Sequence, residues 1–417
     1  MRICILTHTF PRFPGDTAAP FMDGVAEGIR GAGNEVFVLT PFSPKFRRGK
    51  KDQKYKIRTY KYIWPNFLHQ LGYSETLTND MSLKPIVWFL SPFMYFFGTV
   101  ALYRLVKKEK IEVVNAHWIL PNGFIASLVS KLTGVRVVST LPGSDVYLAG
   151  KNPLFSWMAR FAARNSEAIT SNSPQLLEDL ARIVERNSRK RIFLKTRFSA
   201  IIYGVYPDKF RPTKKETEKI REEFSVAKKD LVVLGVGRLV AKKGFRYLIE
   251  AAPKVLKKYP KIVFVLIGEG DQRKELEGLA DKLGVKENFR LPGWVDYKRI
   301  VDYFNFADIF ILPSVRDEEG NLDDQSVSVV EAMATGLPVI TTNFPGYKIV
   351  VRDKENGFLV PEKDKEKIAE AITKLASSNS LRKKMGKKSR ELVVKKFSWQ
   401  AVGREYTNLF KSVIFSR

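Results

Sequence analysis

Short apolar runs bounded by turn residues alternate with longer stretches of helical spacing along most of the chain. The clearest runs are RICIL, EVFVL, IEVVNA and VRVVST, followed in the second half by LVVLGVG, KIVFVLIG, ADIFILP and LPVITT. Strands of a parallel sheet are buried on both faces and therefore give near-continuous apolar runs, with the intervening helices covering the sheet. Because the pattern occurs twice, it predicts two doubly wound α/β domains.

The length of the chain, 417 residues, also favours two domains over one hydrophobic core. The boundary is predicted within IIYGVYPDKFRPTKKE, where an apolar strand gives way to proline and charge. We therefore expect one domain over residues 1–206 and a second over residues 207–397.

The segment DDQSVSVVEAMATGLPVI is predicted to be a loop, a short helix, a turn and a strand, with Ser326 as N-cap and Gly336 as helix stop. The free N–H groups at such a helix start form a natural anion site. Asp323 lies just before this helix and Glu331 within it, where carboxylates suit the hydroxyls of a sugar. Alternatively, Asp323 and Asp324 only offset the helix dipole, and Glu331 is solvated.

Two further loops follow predicted strands. Gly15 stands in a proline-rich loop where backbone can approach a diphosphate, although a glycine in such a loop more often serves only a turn. The stretch GVGRLVAKKG lacks the third glycine of a dinucleotide fingerprint. It does place Arg238 and Lys243 in a glycine-bounded loop, where two cations suit a diphosphate.

The net charge is +27, from 71 Lys and Arg against 44 Asp and Glu. This surplus favours anionic partners and is concentrated between residues 40 and 110, in runs such as KFRRGKKDQKYKIR. The alternative is a solvated, lysine-rich surface. Nucleic acid is not expected as a partner, because the chain has no known nucleic-acid-binding module and no basic stretch interleaved with an aromatic platform.

Residues 85–102 carry no charge, and Pro92 and Gly98 are expected to interrupt any helix there. A transmembrane span, a helix buried in the first domain and a helix lying on a membrane surface all remain open. The flanking basic residues favour an anionic membrane surface as a partner.

One cysteine, Cys4, leaves no internal disulfide, and the three histidines, His8, His69 and His117, lack metal-ligand spacing. The N-terminal MRICIL lacks the features of a signal peptide. We therefore expect a cytoplasmic protein that is peripheral on the inner face of the cell membrane.

Several segments together resemble the group 1 family of retaining nucleotide-sugar glycosyltransferases. They include FPRFPGDTAAPF, NAHWILPNG, STLPGSDVY, GRLVAKKGFRYLIEA, LPGWV, VVEAMATGLPVITT, ENGFLVP and FSWQAVGREYTNLF. The resemblance implies the GT-B fold, in which two Rossmann-like domains face each other across a cleft. It also implies that a C-terminal helix at about 398–417 packs back on the first domain, which binds the acceptor, while the second binds the donor.

The resemblance assigns roles to individual residues. Arg238, Lys243 and Asp323 match the catalytic positions, where the two cations stabilise the departing diphosphate. His117 and Asp145 are the implied acceptor-binding residues. The implied donor-binding residues are Gly15, Gly237, Arg238, Lys243, Gly293, Trp294, Val295, Ser326, Val327 and Glu331.

The implied activity is metal-independent, retaining transfer of a hexose from a UDP- or GDP-sugar to a glycan or lipid-linked acceptor, without a cofactor. Three positions depart from the family pattern: Pro142 in LPGSD, Tyr203 before GV, and Lys348 after the glycine of FPGYK. They motivate an alternative, a degenerate member that binds nucleotide-sugar or glycan without transferring it.

Overall fold

The computed structural model describes residues 1–16, 18–48, 54–72, 77–79, 82–83, 85–143, 145–185, 197–213, 217–318, 320 and 322–415. These residues form two compact units, one of Met1–Gly204 with Trp399–Arg417 and one of Val205–Ser398. The sequence-based boundary at 206/207 falls two residues after this division. Residues 49–53 of the basic run lie outside the described residues.

The first unit is built on a parallel sheet of seven strands in the order β3-β2-β1-β6-β7-β8-β9, with a separate β4-β5 pair. Its strands are β1 Arg2–Leu6, β2 Glu35–Pro41, β3 Lys56–Tyr60, β4 Leu77–Asn79, β5 Ser82–Leu83, β6 Val113–His117, β7 Arg136–Leu141, β8 Ala168–Ser171 and β9 Arg197–Ala200. Its helices are α1 Phe21–Gly31, α2 Pro85–Glu109, α3 Phe124–Thr133, α4 Asp145–Lys151, α5 Pro153–Arg164, α6 Pro174–Glu185 and α15 Trp399–Phe415.

The second unit has a parallel sheet of six strands in the order β12-β11-β10-β13-β14-β15. Its strands are β10 Val232–Val236, β11 Val263–Ile267, β12 Phe289–Gly293, β13 Ile309–Leu312, β14 Val339–Thr342 and β15 Gly357–Val360. Its helices are α7 Thr217–Glu223, α8 Phe245–Lys258, α9 Arg273–Lys282, α10 Ile300–Phe306, α11 Val327–Ala334, α12 Pro345–Val350, α13 Lys365–Ala376 and α14 Asn379–Leu392.

Each sheet has one topological switch point, where the strand order reverses. It lies between β1 and β6 in the first unit and between β10 and β13 in the second. In open α/β sheets, ligands bind outside the carboxyl ends of the strands at this point. The loops after these four strands are therefore where a site is expected.

Helix α2 is continuous from Pro85 to Glu109, so the expected interruption at Pro92 and Gly98 is wrong. It is the helix in the described part of the chain that is long and apolar enough to cross a membrane, with a mean hydropathy of 1.6 over its most apolar window. One face packs into the core of the first unit through Val87, Leu90 and Met94.

The opposite face of α2 is aromatic and exposed to solvent. Phe89 and Phe96 are 65% and 63% exposed, and Trp88 is half exposed. The helix is thus neither fully buried in the domain nor polar on its outer side.

Helices α1 and α15 cross at very close range within the first unit. A Cβ on Gly403 would overlap the carbonyl oxygen of Gly28, and one on Gly24 would overlap the ring of Trp399. Glycines at the crossing allow this approach, and Asn34 Nδ2 donates to Thr407 Oγ1 at 2.7 Å beside it. Helix α15 is therefore an integral part of the first unit.

Candidate functional site

A charged cluster lies at the switch point of the second sheet. Lys243 Nζ donates to Asp323 Oδ2 at 2.8 Å and lies 3.3 Å from Ser326 Oγ. Asp323 Oδ2 also accepts from Ser314 Oγ at 3.2 Å and from Tyr347 OH at 3.1 Å. The structure thus brings Lys243 next to Asp323 and Ser326, which lie 80 and 83 residues farther along the chain.

The loop that carries Lys243 is fixed by backbone contacts with the loop after β13. Gly244 has φ +67°, and a Cβ there would overlap the carbonyl oxygen of Pro313. Val315 N donates to Lys242 O at 2.9 Å. This close approach, which only glycine permits, holds the lysine beside the carboxylate.

The two predicted cations differ in their surroundings. Lys243 is 8% exposed and is paired with Asp323, which is half-buried. Arg238 is exposed in the same loop, directly after Gly237. We therefore expect loss of Lys243 to affect both folding and ligand binding, and loss of Arg238 to affect mainly binding.

The segment after β13 folds as the sequence predicted. Helix α11 covers Val327–Ala334, Ser326 is its N-cap residue, and Gly336 follows the helix end with φ +81°. The first N–H groups of a helix have no intrahelical partner, so Ser326 and Val327 present donors toward the Lys243 cluster. Cation, helix start and hydroxyls together form an anion-binding arrangement.

Glu331 is buried in α11, so the alternative in which it is solvated is wrong. Its Oε1 accepts from Tyr297 OH at 2.8 Å, and Lys209 Nζ lies 3.8 Å from the centroid of the Tyr297 ring. Burial raises the pKa of Glu331 to about 7, against the opposing effects of Tyr297 and Lys209. The sequence reasoning missed both of these neighbours.

Backbone hydrogen bonds join the chain segments at the carboxyl ends of β10, β11 and β12. Gly237 N donates to Ile267 O at 3.0 Å, and Gly268 N donates to Gly293 O at 3.0 Å. Beyond Gly293, Trp294 is 70% exposed and Val295 is half-buried. The carboxyl ends of these three strands therefore present a glycine-rich backbone surface next to an exposed aromatic side chain.

Gly15 belongs to the other unit, in the loop after β1. It has φ +88° and open space around its Cα. The loop is anchored by a buried ion pair in which Arg12 Nε donates to Asp16 Oδ2 at 2.7 Å. Burial opposes ionisation of Asp16, but the hydrogen bonds from Arg12 hold its pKa below the usual value.

His117, an expected acceptor contact, has no exposed surface. Its Nε2 is 2.9 Å from Asn115 Oδ1, and burial lowers its pKa to about 3. The side chain is therefore neutral and enclosed in the core of the first unit at the end of β6.

Asp145 and His8 line a cavity at the switch point of the first sheet, together with Trp118. Asp145 Oδ2 accepts from Ile119 N at 2.6 Å, and burial raises its pKa to about 7. Burial lowers the pKa of His8 to about 4. No sequence signal singled out His8, because it follows β1 without a motif.

No group of three or more His, Cys, Asp or Glu side chains in the described ranges is arranged to hold a metal ion.

Two protein-family models match the chain. The model described as glycosyl transferases group 1 matches residues 216–392, and the model described as glycosyl transferase 4-like matches residues 74–173. The two matches fall in the second and the first unit, respectively.

Individual proteins are similar over most of the chain. An uncharacterised glycosyltransferase of Methanocaldococcus jannaschii is 25% identical over 99% of this chain and 98% of its own length. A UDP-Gal:α-D-GlcNAc-diphosphoundecaprenol α-1,3-galactosyltransferase of Escherichia coli is 26% identical over 72% of this chain and 75% of its own. The structure of HepE from Anabaena in complex with UDP matches with a TM-score of 0.70 and 15% identity, over 99% of this chain and 100% of that one.

The structural match supports the GT-B fold, which the two parallel sheets also show. The matches to both family models, together with relatives that are themselves glycosyltransferases, identify the activity class. The chain therefore belongs to the group 1 family of glycosyltransferases and is a transferase enzyme.

Proposed function

We propose that this enzyme transfers a hexose, with retention and without a metal ion, from a UDP- or GDP-sugar to a lipid-linked or other glycan acceptor. The observation that carries the proposal is the cluster of Lys243, Asp323 and Ser326 at the start of α11, with Glu331 farther along the same helix.

The diphosphate of the donor suits the cationic part of this site. Lys243, Arg238 and the N–H groups at the start of α11 would bind its oxygens. As the glycosidic bond breaks, negative charge grows on the leaving diphosphate, and donors already in position lower the barrier. Because Asp323 already pairs with Lys243, the lysine would interact with both the Asp323 carboxylate and the diphosphate once the donor is bound.

The sugar and ribose hydroxyls suit the carboxylates. Glu331, with the exposed Tyr297 beside it, would accept from the ribose, and Asp323 would accept from the donor sugar. The UDP complex of HepE and the UDP-Gal donor named for the Escherichia coli relative support a nucleotide-sugar donor.

The acceptor would bind the first unit at a membrane surface. The named acceptor of the same relative is linked to diphosphoundecaprenol, which supports a lipid-linked substrate. The exposed aromatic face of α2, followed by Lys107 and Lys108, suits the interface of an anionic membrane. We therefore propose that the enzyme acts at the cytoplasmic face of the membrane.

Calorimetric titration with UDP, GDP, UDP-glucose and GDP-mannose would test the donor assignment. At least one nucleotide should bind with micromolar affinity in EDTA, and Lys243→Met should weaken it while Lys258→Met, on the exposed end of α8, should not. Proton NMR of the transfer product should show the anomeric configuration of the donor. No nucleotide binding, or an inverted product, would overturn the proposal.

A further inference from the structure

A groove of about 640 Å³ lies in the second unit, where α14 packs against the turn that follows α11. A Cβ on Gly386 would overlap the carbonyl oxygen of Gly336, so helix and turn are in direct backbone contact there. The groove is lined by Pro212, Thr335, Gly336, Lys383, Gly386, Lys387, Arg390, Glu391, Val394 and Lys395. Its volume lies within the range of small-molecule sites in proteins, roughly 300–1,000 Å³.

This groove is separate from the charged cluster at Lys243. The cluster adjoins the start of α11, whereas Thr335 and Gly336 follow the end of the same helix. An α-helix of 8 residues is about 12 Å long. A ligand in the groove would therefore bind about one helix length away from the proposed diphosphate site.

Cations outnumber acids in the groove lining. Lys383, Lys387 and Lys395 are exposed, Arg390 is half-buried, and the acid among these described residues is Glu391. Lys387 lies 3.9 Å from Glu391, but the two side chains are 79% and 62% exposed, and such a pair contributes little. Lys383 and Lys395 form no ion pair within the described ranges. The groove therefore carries positive charge that is largely without a counter-charge.

Arg390 prevents the end of α11 from repelling an anion. The last carbonyl groups of a helix carry partial negative charge. Arg390 Nη1 donates to Ala334 O at this helix end and to Phe210 O at 2.9 Å, and Leu337 N occupies Ala332 O at 3.1 Å. Burial lowers the pKa of Arg390, so a nearby anion would stabilise its charged form.

The groove also has an apolar part. Val394 is 47% exposed, and Pro212 is exposed. A Cβ on Gly336 would lie 3.5 Å from Pro212 Cγ, so the proline ring adjoins the turn. The methylene stems of the lysines add further apolar surface. A phosphoryl group joined to an apolar group would match both the cations and this surface.

We propose that the groove is a second anion site, which binds a phosphoryl-bearing ligand at Lys383, Lys387 and Lys395 with its apolar part against Pro212 and Val394. A phosphoryl group has several acceptor oxygens and up to two negative charges, so it can interact with several lysines at once. The headgroup of an anionic lipid and a free phosphorylated metabolite share this chemistry. The site is additional to the proposed donor site and does not depend on it.

Lysine acetylation followed by mass spectrometry tests this with the full-length protein. The probes are inorganic pyrophosphate, glycerol 3-phosphate and dihexanoyl phosphatidic acid below its micelle concentration, each compared with potassium chloride at the same ionic strength. At least one probe should slow acetylation of Lys383, Lys387 and Lys395 about fivefold or more, and leave exposed Lys257 on α8 unchanged.

The three probes distinguish the two sources of the ligand. A lipid headgroup is indicated if phosphatidic acid protects the lysines at concentrations about tenfold lower than glycerol 3-phosphate, because its chains reach Val394 and Pro212. A free phosphorylated metabolite is indicated if the chains make no difference. Both results support the site.

Lys383→Gln with Lys395→Gln should raise the probe concentration that protects Lys387 about tenfold or more, because two charged contacts are lost. Lys257→Gln with Lys258→Gln removes the same charge from the exposed end of α8 and should have no effect. Equal protection by potassium chloride, equal protection of Lys257, or an unchanged probe concentration in the first double variant would overturn the proposal. Protection of the groove without any binding of UDP or GDP would overturn the proposed donor function alone.

Discussion

The two switch points of this molecule lie at equivalent places in two parallel sheets, but the side chains around them differ in charge and polarity. At the second sheet, Lys243 and Asp323 form a charged cluster beside a helix start. At the first sheet, His8 is neutral, and an apolar cavity lies next to it. Parallel strands with equivalent loops thus carry a charged pair beside a helix start in one unit and an apolar cavity beside a neutral imidazole in the other. The fold supplies the place, and the loop residues decide the ligand.

The largest effect is expected from removing the cation of the charged switch point. Lys243→Met should reduce turnover about 100- to 1000-fold, because one preorganised donor to the leaving group is lost. It should also lower the melting temperature by several degrees, since it leaves the carboxylate of Asp323 without its counter-charge. Rates should therefore be measured well below the melting temperature, with Lys258→Met as control.

Arg238→Ala tests whether the two cations act on one ligand. Turnover should fall with the melting temperature unchanged, because Arg238 is exposed. The Arg238→Ala, Lys243→Met double variant should lose less than the two single losses combined. If the losses of turnover in the two single variants add fully in the double variant, the two residues act on different groups of the ligand.

The pH dependence of unfolding tests whether the buried carboxylate of Glu331 destabilises the folded protein when it is ionised. Its pKa is raised from 4.5 to about 7 by burial, so the folded state holds a proton that the unfolded state releases. Stability from this group is present below pH 4.5 and is lost as the pH rises through 7, by about 3 kcal/mol at most. Urea unfolding at pH 5 and pH 8 should show this difference, and Glu331→Gln should remove it. An equal pH dependence in the variant would assign the effect to other groups.

The apolar side of the comparison is tested by the exposed face of α2. Phe89→Ser with Phe96→Ser should reduce flotation with anionic vesicles roughly 10- to 100-fold, because two large apolar contacts with the interface are lost. Leu283→Ser, an exposed apolar position in the second unit, is the matched control. The remaining binding should weaken with salt. Equal recovery with neutral and anionic vesicles, or no recovery with either, would contradict binding of the protein to an anionic membrane.

The smallest effect is expected at Pro142, which stands where the family has histidine. Because His8 and Asp145 already supply polar groups to the cavity at the first switch point, Pro142→His should change turnover less than about threefold, a difference within the ordinary range of a surface substitution. A large gain would show that the natural enzyme is impaired at this position.

The central strands could be predicted from sequence because burial on both faces makes them uniformly apolar. RICIL and LVVLGVG correspond to β1 and β10. Strands β3 and β8 were missed because KIRTY and AITS carry polar residues, as strands at or near a sheet edge tolerate. Helix α11 was predicted because its N-cap and its glycine stop are both local signals.

The candidate site could be predicted only where local pattern and family motif coincide, as at Lys243 and Asp323. Their direct pairing, and the contribution of Tyr347 to it, depends on loops that meet only in the folded sheet. Tyr297 reaches Glu331 from another strand end and has no sequence signal of its own. The burial of His117 could not be predicted either, because the motif marks its position on β6 but not the face of the strand on which it lies.

The close crossing of α1 and α15 sets the order in which the chain can be completed on the ribosome. Helix α1 emerges early, whereas its partner emerges only after the whole second unit has been synthesised. Until then, the backbone surface around Gly28 that receives Gly403 is uncovered, although the second unit can already fold. The first unit to be translated is therefore the last to be finished, and the nascent chain must keep that surface from other contacts for most of its synthesis.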